Sequence, residues 1–365
     1  MSVRVLTVNA GSSSLKLSLL AADDVAEQQT ELSVGSDGID ANQLRGALAG
    51  WAAPDAVGHR IVHGGTRFTG PVRITPEVES QLRDLTDLAP LHQPASLAAL
   101  DAVTGLYPRV PAVACFDTAF HATIPAAAAT YAVPASWRTR YGVRRYGFHG
   151  LSHAYCSRRA AELLGRPLAG SRIVTAHLGS GASLAAVLDG RSVDTTMGFT
   201  PLEGLVMATR SGSVDPGLVL WLAEHERLAP REVSAALEQE SGLLGLTGTA
   251  DMRQVEAAVD RGDPDARLGL DVYLHRLAGS VAAMTASLGG IDVLAFTAGT
   301  GEHSARVRRS TAQRLEYLGI AVSDRNEHVN DDADVSTSTA RVRTVVIAAR
   351  EDLQIARETR RLALD

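Results

Sequence analysis

Apolar and polar residues alternate at the start of the chain, and short apolar runs bounded by glycine turns occur near its middle; both patterns predict β-strands. Residues 173–178 run into a Gly-Ser-Gly-Ala turn, residues 183–188 run back to Asp189-Gly190, and another short run follows at 192–196. Asp-Gly between two such runs is the strongest short-range signal for a hairpin. The middle of the chain therefore predicts three consecutive antiparallel strands.

The start of the chain repeats this plan. The segment TVNAGS, which begins at Thr7, aligns with TAHLGS, which begins at Thr175, and each leads from a strand through a glycine-serine turn into a return strand. Two such stretches, each opening one half of the chain, predict two related domains. The alternative is coincidence, because glycine-rich hairpins are common.

Helical periodicity fills much of the remainder. Asp263 before Pro264 is typical of an N-cap followed by a first-turn proline, and apolar residues then recur at helical spacing until Gly289-Gly290. Residues 291–296 predict a strand, which leads into another glycine-rich turn and a further helix with an apolar face. Strands that alternate with helices predict an α/β protein.

Length and composition narrow the class of protein. A chain of 365 residues suits two domains, and its net charge of −6 provides no general attraction for nucleic acid or anionic lipid. No apolar stretch reaches the roughly twenty residues of a membrane span. The first residues predict a strand and not a secretory signal, so we expect a cytoplasmic protein. Cys115 and Cys156 lie outside any CxxC pattern and predict neither a disulfide framework nor a zinc site.

Three glycine-rich turns are candidates for phosphate binding, at residues 9–14, 177–182 and 299–303. A glycine lets backbone N–H groups approach a phosphate closely because it has no Cβ atom. The first two turns join strand to strand, so neither is a P-loop or a dinucleotide fingerprint. Lys16 shares a strand face with Ser14 and can reach a phosphate held at the first turn. Each turn alone is more often structural, but the three together favour phosphate binding.

Eight stretches in order along nearly the whole chain resemble the acetate kinase family. They are residues 8–16, 58–65, 90–94, 116–121, 147–153, 197–204, 209–216 and 296–302. The resemblance implies the duplicated ribonuclease H-like, actin-like ATPase fold, an α/β architecture in which two similar domains flank a nucleotide cleft. We expect one domain at 1–117 with 353–365 and the other at 118–352.

The resemblance also implies a reaction. It is the reversible transfer of a phosphoryl group from ATP to acetate by direct in-line attack, which yields ADP and acetyl phosphate and uses Mg²⁺, with Mn²⁺ as an alternative. A homodimer is implied as well. Propionate or butyrate kinase is one alternative, and an actin-like or Hsp70-like ATP-binding module is another. Arg60 together with Arg210 favours a kinase, because a module needs only a nucleotide cleft.

Catalytic roles follow from the same resemblance. Arg60 binds the carboxylate substrate, Arg210 stabilises the transferring phosphoryl group, and His149 acts beside it as a transition-state stabiliser. Planar guanidinium groups suit the equatorial oxygens of a phosphoryl group, although either arginine alone is more often a surface charge. An ionised substrate carboxylate has no proton to lose. We therefore expect Asp117 to orient an arginine and the metal hydration shell, while the alternative is a proton donor or acceptor.

The metal site implied by the resemblance is Asn9 with Glu351. On local grounds Glu351 is an ordinary first-turn acid, favoured by the helix dipole. The histidine pairs His149/His153 and His59/His63 have the i, i+4 spacing of metal ligands, but the neighbouring glycines interrupt a helix. Except for His149, structural histidines are the favoured interpretation.

The remaining site residues are also implied by the family. A small apolar pocket for the methyl group of acetate is formed by Val62, Leu91, Phe148 and Pro201. Nucleotide contacts fall at Lys16, His177, Leu178, Gly179, Ser180, Gly181, Asp251, Met252, Arg253, Gly299, Thr300, Gly301, Glu302 and His303. Ser180 and His303 stand where the family usually has asparagine, and Met252 replaces an aromatic residue. These three departures leave the preference among nucleotides open.

Overall fold

The computed structural model describes residues 3–11, 14–33, 41–89 and 93–363. The chain divides into two compact units. Unit 1 comprises Met1–Ala122, Phe148–Tyr155 and Arg350–Asp365, and unit 2 comprises Thr123–Gly147 and Cys156–Ala349. The division expected from the sequence differs from this one at residues 118–122, 148–155 and 350–352.

Unit 1 is built on a six-stranded sheet. Its strands are β1 Val5–Ala10, β2 Ser14–Leu20, β3 Ala26–Ser33, β4 Ala56–Ile61, β5 Val72–Arg73 and β6 Ala112–Phe116. They lie in the order β3-β2-β1-β4-β6-β5, and β1, β4 and β6 are parallel to one another. Helices α1 Ala41–Ala47, α2 Pro76–Arg83, α3 Gln93–Leu106 and α14 Glu351–Ala363 complete this unit, with 3₁₀ turns at Thr86–Leu88 and Ala119–Thr123.

Unit 2 contains a second six-stranded sheet. Its strands are β7 Arg172–Leu178, β8 Ala182–Leu188, β9 Arg191–Thr195, β10 Val293–Thr297, β11 Ala333–Asp334 and β12 Arg343–Val346. Its helices are α4 Ala126–Ala129, α5 Ala135–Tyr141, α7 Pro216–His225, α8 Pro230–Gln239, α9 Gly242–Thr247, α10 Met252–Asp260, α11 Pro264–Ser287, α12 Ala298–His303 and α13 Ala305–Arg314, with 3₁₀ turns at Glu316–Leu318 and Asp324–Glu327. Helix α6, Gly150–Leu163, contains the boundary between the two units.

The two sheets share one topology. Read from the opposite end, the second sheet has the order β9-β8-β7-β10-β12-β11, which corresponds strand for strand to the first. Strands β7, β10 and β12 are parallel, as are their counterparts in unit 1. Even a register irregularity recurs, at Leu19/Leu20 in β2 and at Ala186/Val187 in β8. The duplication predicted from the two glycine hairpins is confirmed.

Both faces of β1 are covered, which explains its nearly continuous burial. Leu6 and Val8 pack with Leu44 of α1 and Val103 of α3, whereas Val5 on the other face packs with Ala356 of α14. Parallel strands between helical layers are typically apolar on both faces. Helix α14 approaches β4 so closely that a Cβ atom on Gly58 would lie 2.3 Å from Oγ1 of Thr359. Gly58 therefore lets the first residue of α14, Glu351, reach the end of the sheet.

Helix α11 begins and ends where the sequence predicts. The Asp263 carboxylate accepts hydrogen bonds from the backbone N–H groups of Asp265 and Ala266, at 2.9 and 3.0 Å. Gly289, beyond the last turn, has a φ of +65°, a left-handed conformation that commonly ends helices. Among the residues that the structure describes, this helix and every other are too short or too polar to cross a bilayer.

The third glycine turn differs from the predicted loop. Residues 299–303 belong to α12, which starts directly after β10 at Ala298, where φ is +64°. A Cβ atom on Gly301 would lie 3.5 Å from the carbonyl oxygen of Ala176 in β7. That distance is an ordinary van der Waals contact, and α12 packs against both β7 and β10.

Candidate functional site

Polar side chains converge at the carboxyl ends of the parallel strands in unit 1. Asn9 lies near the end of β1, Arg60 near the end of β4, and Asp117 directly after β6. Glu351 begins α14, which packs on β1, β4 and β6. The carboxyl edge of a parallel sheet is where ligand sites of α/β proteins open. These four residues are called the Arg60 network below.

The Arg60 network is held together by hydrogen bonds. Nε of Arg60 donates to both Asp117 carboxylate oxygens, at 3.2 and 3.0 Å, and Nη2 donates to Oδ2 at 2.6 Å. Nη1 donates to Oδ1 of Asn9 at 3.0 Å, and Nδ2 of Asn9 donates to Oε2 of Glu351 at 2.7 Å. Nη1 of Arg60 also lies 4.0 Å from that Glu351 oxygen. The fork on Asp117 fixes the plane of the guanidinium group.

Burial and charge set the protonation of this network. The side chain of Asp117 is 1% exposed and that of Arg60 is 15% exposed. Burial alone would lower the pKa of Arg60, but attraction to Asp117 and Glu351 raises it above its ordinary value, so the guanidinium is charged. Burial raises the pKa of Asp117, which the charge of Arg60 opposes and that of Glu351 increases. Two carboxylates thus face one guanidinium group.

The donors of the Arg60 network suit a magnesium ion that keeps most of its water. No group of three His, Cys, Asp or Glu side chains in the described parts of the chain is placed to hold a metal directly. Mg²⁺ typically uses one or two carboxylates together with waters and substrate phosphates. The excess of negative charge beside Asn9 and Glu351 fits such an ion and not a closed protein cage.

The backbone beside His149 is hydrogen-bonded to Asp117 of the Arg60 network. It is partly exposed and has a φ of +56°, and the N–H of the following Gly150 donates to the carbonyl oxygen of Asp117 at 2.8 Å. Two predicted pocket residues of unit 1, Val62 and Phe148, are buried. A third, Leu91, lies outside the described residues.

The other histidines of unit 1 that the structure describes are buried. His59, His63 and His153 are each at most 1% exposed. Burial lowers the pKa of His59 to about 3 and that of His63 to about 4. The backbone N–H of Gly65 donates to Nδ1 of His63 at 2.8 Å. These features agree with structural histidines.

Lys16 lies opposite Asn9 in the β1–β2 pair, and its side chain is exposed. Directly opposed residues of an antiparallel pair project to the same face. Residues 12 and 13 of the adjoining turn lie outside the described residues. Lys16 therefore shares a face with the Arg60 network.

In unit 2 the second and third glycine turns are neighbours, because β7 and β10 pair in parallel with His177 beside Thr297. The N–H of Gly179 donates to the carbonyl of Gly181 at 3.0 Å, and that of Ala208 donates to the carbonyl of Ser180 at 3.1 Å. Ten predicted nucleotide residues lie at these turns: His177, Leu178, Gly179, Ser180, Gly181, Gly299, Thr300, Gly301, Glu302 and His303.

Asp251, Met252 and Arg253 begin α10. Asp251 is the N-cap and accepts the N–H of Arg253 at 2.9 Å, and the Arg253 guanidinium pairs with the same carboxylate at 2.7 Å. The side chain of Arg253 is exposed, whereas Met252 is buried. Only Asp251 and Arg253 of these three thus present polar groups to the surface.

Arg210 of unit 2 binds neutral acceptors. Its Nη1 donates to the carbonyl oxygen of Pro201 at 3.0 Å and approaches the sulfur of Met207 at 3.6 Å. Burial lowers the pKa of Arg210, an effect that Glu238 opposes. A guanidinium group that is desolvated yet bound to neutral partners favours an anionic ligand.

Sequence reasoning missed Arg308, the largest fully buried side chain among the described residues. Its guanidinium donates to the carbonyls of Gly301 and Glu302, at 3.0 and 2.6 Å, and to Oδ1 and the carbonyl of Asn326, at 2.7 and 2.6 Å. Burial lowers its pKa to about 10. Arg308 thus holds the last carbonyls of α12. Its position on a polar-looking helix provides no signal of this contact.

Comparisons with known proteins agree on one family. A family model described as the Acetokinase family matches residues 36–357. An acetate kinase from Deinococcus radiodurans is 46% identical over 385 aligned residues, which cover 97% of this chain and 96% of that protein. The crystal structure of Porphyromonas gingivalis acetate kinase has a TM-score of 0.90 and 36% identity and covers 100% of both chains. That of a propionate kinase from Francisella tularensis has a TM-score of 0.91 and 34% identity, covering 99% of this chain and 100% of the other.

Proposed function

Because the chain belongs to the acetokinase family, we propose that it catalyses reversible phosphoryl transfer from ATP to acetate, yielding ADP and acetyl phosphate. It is a kinase enzyme with the duplicated actin-like ATPase fold, as predicted. The observation that carries the proposal is the Arg60 network. It presents a fixed guanidinium group beside two carboxylates at the open edge of a parallel sheet.

Arg60 has N–H groups that can donate hydrogen bonds to an acetate carboxylate. An arginine carries five N–H groups. Within the described residues, Asp117 and Asn9 engage Nε–H, one N–H of Nη2 and one N–H of Nη1. One N–H remains on each terminal nitrogen. We assign these two to the substrate carboxylate, with buried Val62 and Phe148 beside the methyl group. Leu91 and Pro201 keep this pocket role as predictions.

No general base is required for the forward reaction. Acetate is ionised near neutral pH, since carboxylic acids titrate at about pH 4, and its oxygen attacks the γ-phosphorus directly. Asp117 therefore acts on Arg60, whose guanidinium it holds in one plane. Arg210 and His149 keep their predicted roles at the transferring phosphoryl group, where charge develops on the equatorial oxygens.

Asn9 and Glu351 would hold Mg²⁺, with Mn²⁺ as the alternative, largely through water, and the ion would neutralise charge on the phosphate oxygens. Lys16 supplies a further cation for the phosphates. The glycine turns of unit 2, with Asp251 and Arg253, bind the nucleotide through backbone N–H groups and polar side chains.

The test is steady-state ADP release with acetate, propionate and butyrate, each with ATP and with GTP. We expect acetate to have the highest kcat/KM and propionate to follow, because one methylene in an apolar pocket is worth about 1–3 kcal/mol. Propionate in first place would favour the alternative, which the similarity to a propionate kinase supports. ATP turnover that is independent of any added acid would contradict a carboxylate kinase and favour an ATP-binding module.

We also propose a homodimer in the cytoplasm. Every residue of α7 is at least partly exposed, and Leu220 and Trp221 are 63% and 48% exposed. Asp215 precedes this helix and Arg227 follows it. Two copies of α7 packed antiparallel about a twofold axis would cover the apolar residues and bring these opposite charges together.

Light scattering with size-exclusion chromatography tests the dimer. We expect a dimer for the unmodified protein and a monomer for Leu220→Asp. Leu268→Asp is the matched control, since Leu268 is 59% exposed on α11, and it should remain dimeric. An unmodified monomer, or a dimeric Leu220→Asp variant, would contradict this interface.

A further inference from the structure

His149 occupies a backbone conformation that requires support. Its φ of +56° is uncommon for a residue other than glycine. Such conformations persist only where the surroundings hold them, and they cluster at functional sites. Groups of unit 1 must therefore hold His149 in its left-handed conformation.

Both peptides that flank His149 are anchored to one short segment, residues 117–121. On one side, the N–H of Gly150 donates to the carbonyl of Asp117 at 2.8 Å. A Cβ atom on Gly150 would lie 2.2 Å from that oxygen, so glycine is required there. On the other side, the carbonyl of Phe148 lies 2.9 Å from Nε2 of His121.

The anchoring segment is itself fixed to the sheet. The N–H of Asp117 donates to the carbonyl of Ile61 in β4 at 3.0 Å, and the N–H of His121 donates to the carbonyl of Thr118 at 3.1 Å. The hydroxyl of Thr118 accepts the N–H of Gly64 at 3.0 Å. His121 is therefore held in a fixed place relative to Asp117 and Arg60.

The hydrogen-bond partner of His121 determines which ring nitrogen carries the hydrogen. A carbonyl oxygen only accepts hydrogen bonds, so Nε2 of His121 carries the hydrogen. Its side chain is fully buried, and burial lowers its pKa to about 4 although the bond to Phe148 opposes this. Near neutral pH the ring is the uncharged tautomer with hydrogen on Nε2.

We propose that His121 is a positioning residue for His149: its Nε2–H group clamps the Phe148 carbonyl and thereby holds His149 in the left-handed conformation. The inference rests on the proposed function, in which His149 acts on the transferring phosphoryl group. His121 itself is fully buried, so we assign it no contact with substrate.

The test compares two substitutions at this position. His121→Phe keeps an aromatic ring but removes the donor, and His121→Gln keeps an amide N–H in reach of the Phe148 carbonyl. Because a displacement of about 1 Å can cost roughly 100-fold in rate, we expect His121→Phe to lower kcat about 10- to 100-fold. KM for ATP should change by less than about threefold, since the glycine turns assigned to the nucleotide belong to unit 2. His121→Gln should recover most of kcat.

A double-mutant cycle separates positioning through His149 from a general structural effect. Residues that act through one another give non-additive effects. His121→Phe should therefore lower kcat in the unmodified protein but not further in His149→Ala. Leu82→Ala, a buried substitution in α2 of the same unit, is the control for lost stability, and it should lower Tm without this kcat effect.

Each outcome decides the matter. Equal losses from His121→Phe in both backgrounds, or an unchanged kcat, would overturn the clamp. An active His149→Ala variant would overturn it through the role of His149, whereas no acetate-dependent turnover in the unmodified protein would overturn the proposed function. If His121→Phe does not fold, His121→Asn replaces it. Its shorter amide cannot reach Phe148, and kcat equal to that of His121→Gln would contradict the clamp.

Discussion

The carboxylate of Asp117 holds Arg60 along one edge of its guanidinium group, with Nε and Nη2 of the arginine as donors. This edge-on fork leaves the opposite end of the guanidinium directed toward Asn9 and Glu351. This geometry supports our proposal that Asp117 orients a binding group and does not exchange protons with substrate.

Replacing Asp117 with Asn should show this difference. The variant removes the charge that balances Arg60 while keeping the shape of the side chain, and breaking a buried ion pair typically costs about 3–5 kcal/mol. We expect a lower Tm together with a 100-fold or greater loss in kcat/KM for acetate, of the order that a buried unpaired charge implies. Asp117→Glu, which keeps the charge, should retain more activity. Equal activities of the two variants would contradict orientation by charge.

Substitution of Arg60 and substitution of Arg210 should change different kinetic parameters. Arg60→Ala removes the group that we propose binds the carboxylate, and it should mainly raise KM for acetate. Arg210→Ala removes the proposed stabilisation of charge in the transition state and should lower kcat by about 100-fold or more. Steady-state kinetics with varied acetate and ATP measures both. Arg231→Ala, at an exposed position of α8, should match the unmodified protein. Near-normal turnover in both active-site variants would be inconsistent with the mechanism.

Arg308 should stabilise the third glycine turn, residues 299–303, which we assign to nucleotide binding. Arg308→Met keeps much of the volume but leaves the carbonyls of Gly301 and Glu302 without their buried donor. Each charged hydrogen bond is worth about 1.5–3 kcal/mol, so we expect a marked loss in Tm. KM for ATP should rise while KM for acetate stays near its original value. Arg308→Lys cannot reproduce the fork. Its Tm and its KM for ATP should therefore lie between those of Arg308→Met and of the unmodified protein. A rise in KM for acetate alone would argue against this role.

Stability should fall on mild acidification. His59, His63 and His121 have folded-state pKa values lowered from 6.5 to about 3, 4 and 4. Between pH 6.5 and 4 the unfolded chain therefore binds more protons than the folded one, and the free energy of unfolding decreases as pH falls. Each group contributes up to about 1.4 kcal/mol per pH unit.

Urea unfolding at several pH values measures this slope. His121→Gln removes one of the three groups and should reduce the slope by about one proton. Stability that is constant or increases from pH 6.5 to 4.5 would show that these rings are not buried and neutral.

Local sequence determined much of the fold. The Asp189-Gly190 turn, the N-cap Asp263 and the glycines after α11 each act through neighbouring backbone groups, so the β8–β9 hairpin and α11 could be placed from the chain alone. The two glycine hairpins also revealed the duplication, because the same short plan occurs twice. Residues 299–303 were predicted as a glycine-rich turn but form α12, which packs against β7 and β10, so tertiary packing and not local propensity decided their conformation.

The features of the candidate site were also determined partly by the sequence and partly by the tertiary structure. The sequence by itself determined the chemical groups, through motifs that resemble one family. Only the tertiary structure decided that Asp117 takes the Nε edge of Arg60, that Arg308 is buried against α12, and that His121 reaches the Phe148 carbonyl. The physical reason is that these contacts join residues far apart in the chain or in different elements, and their geometry depends on how closely strands and helices pack.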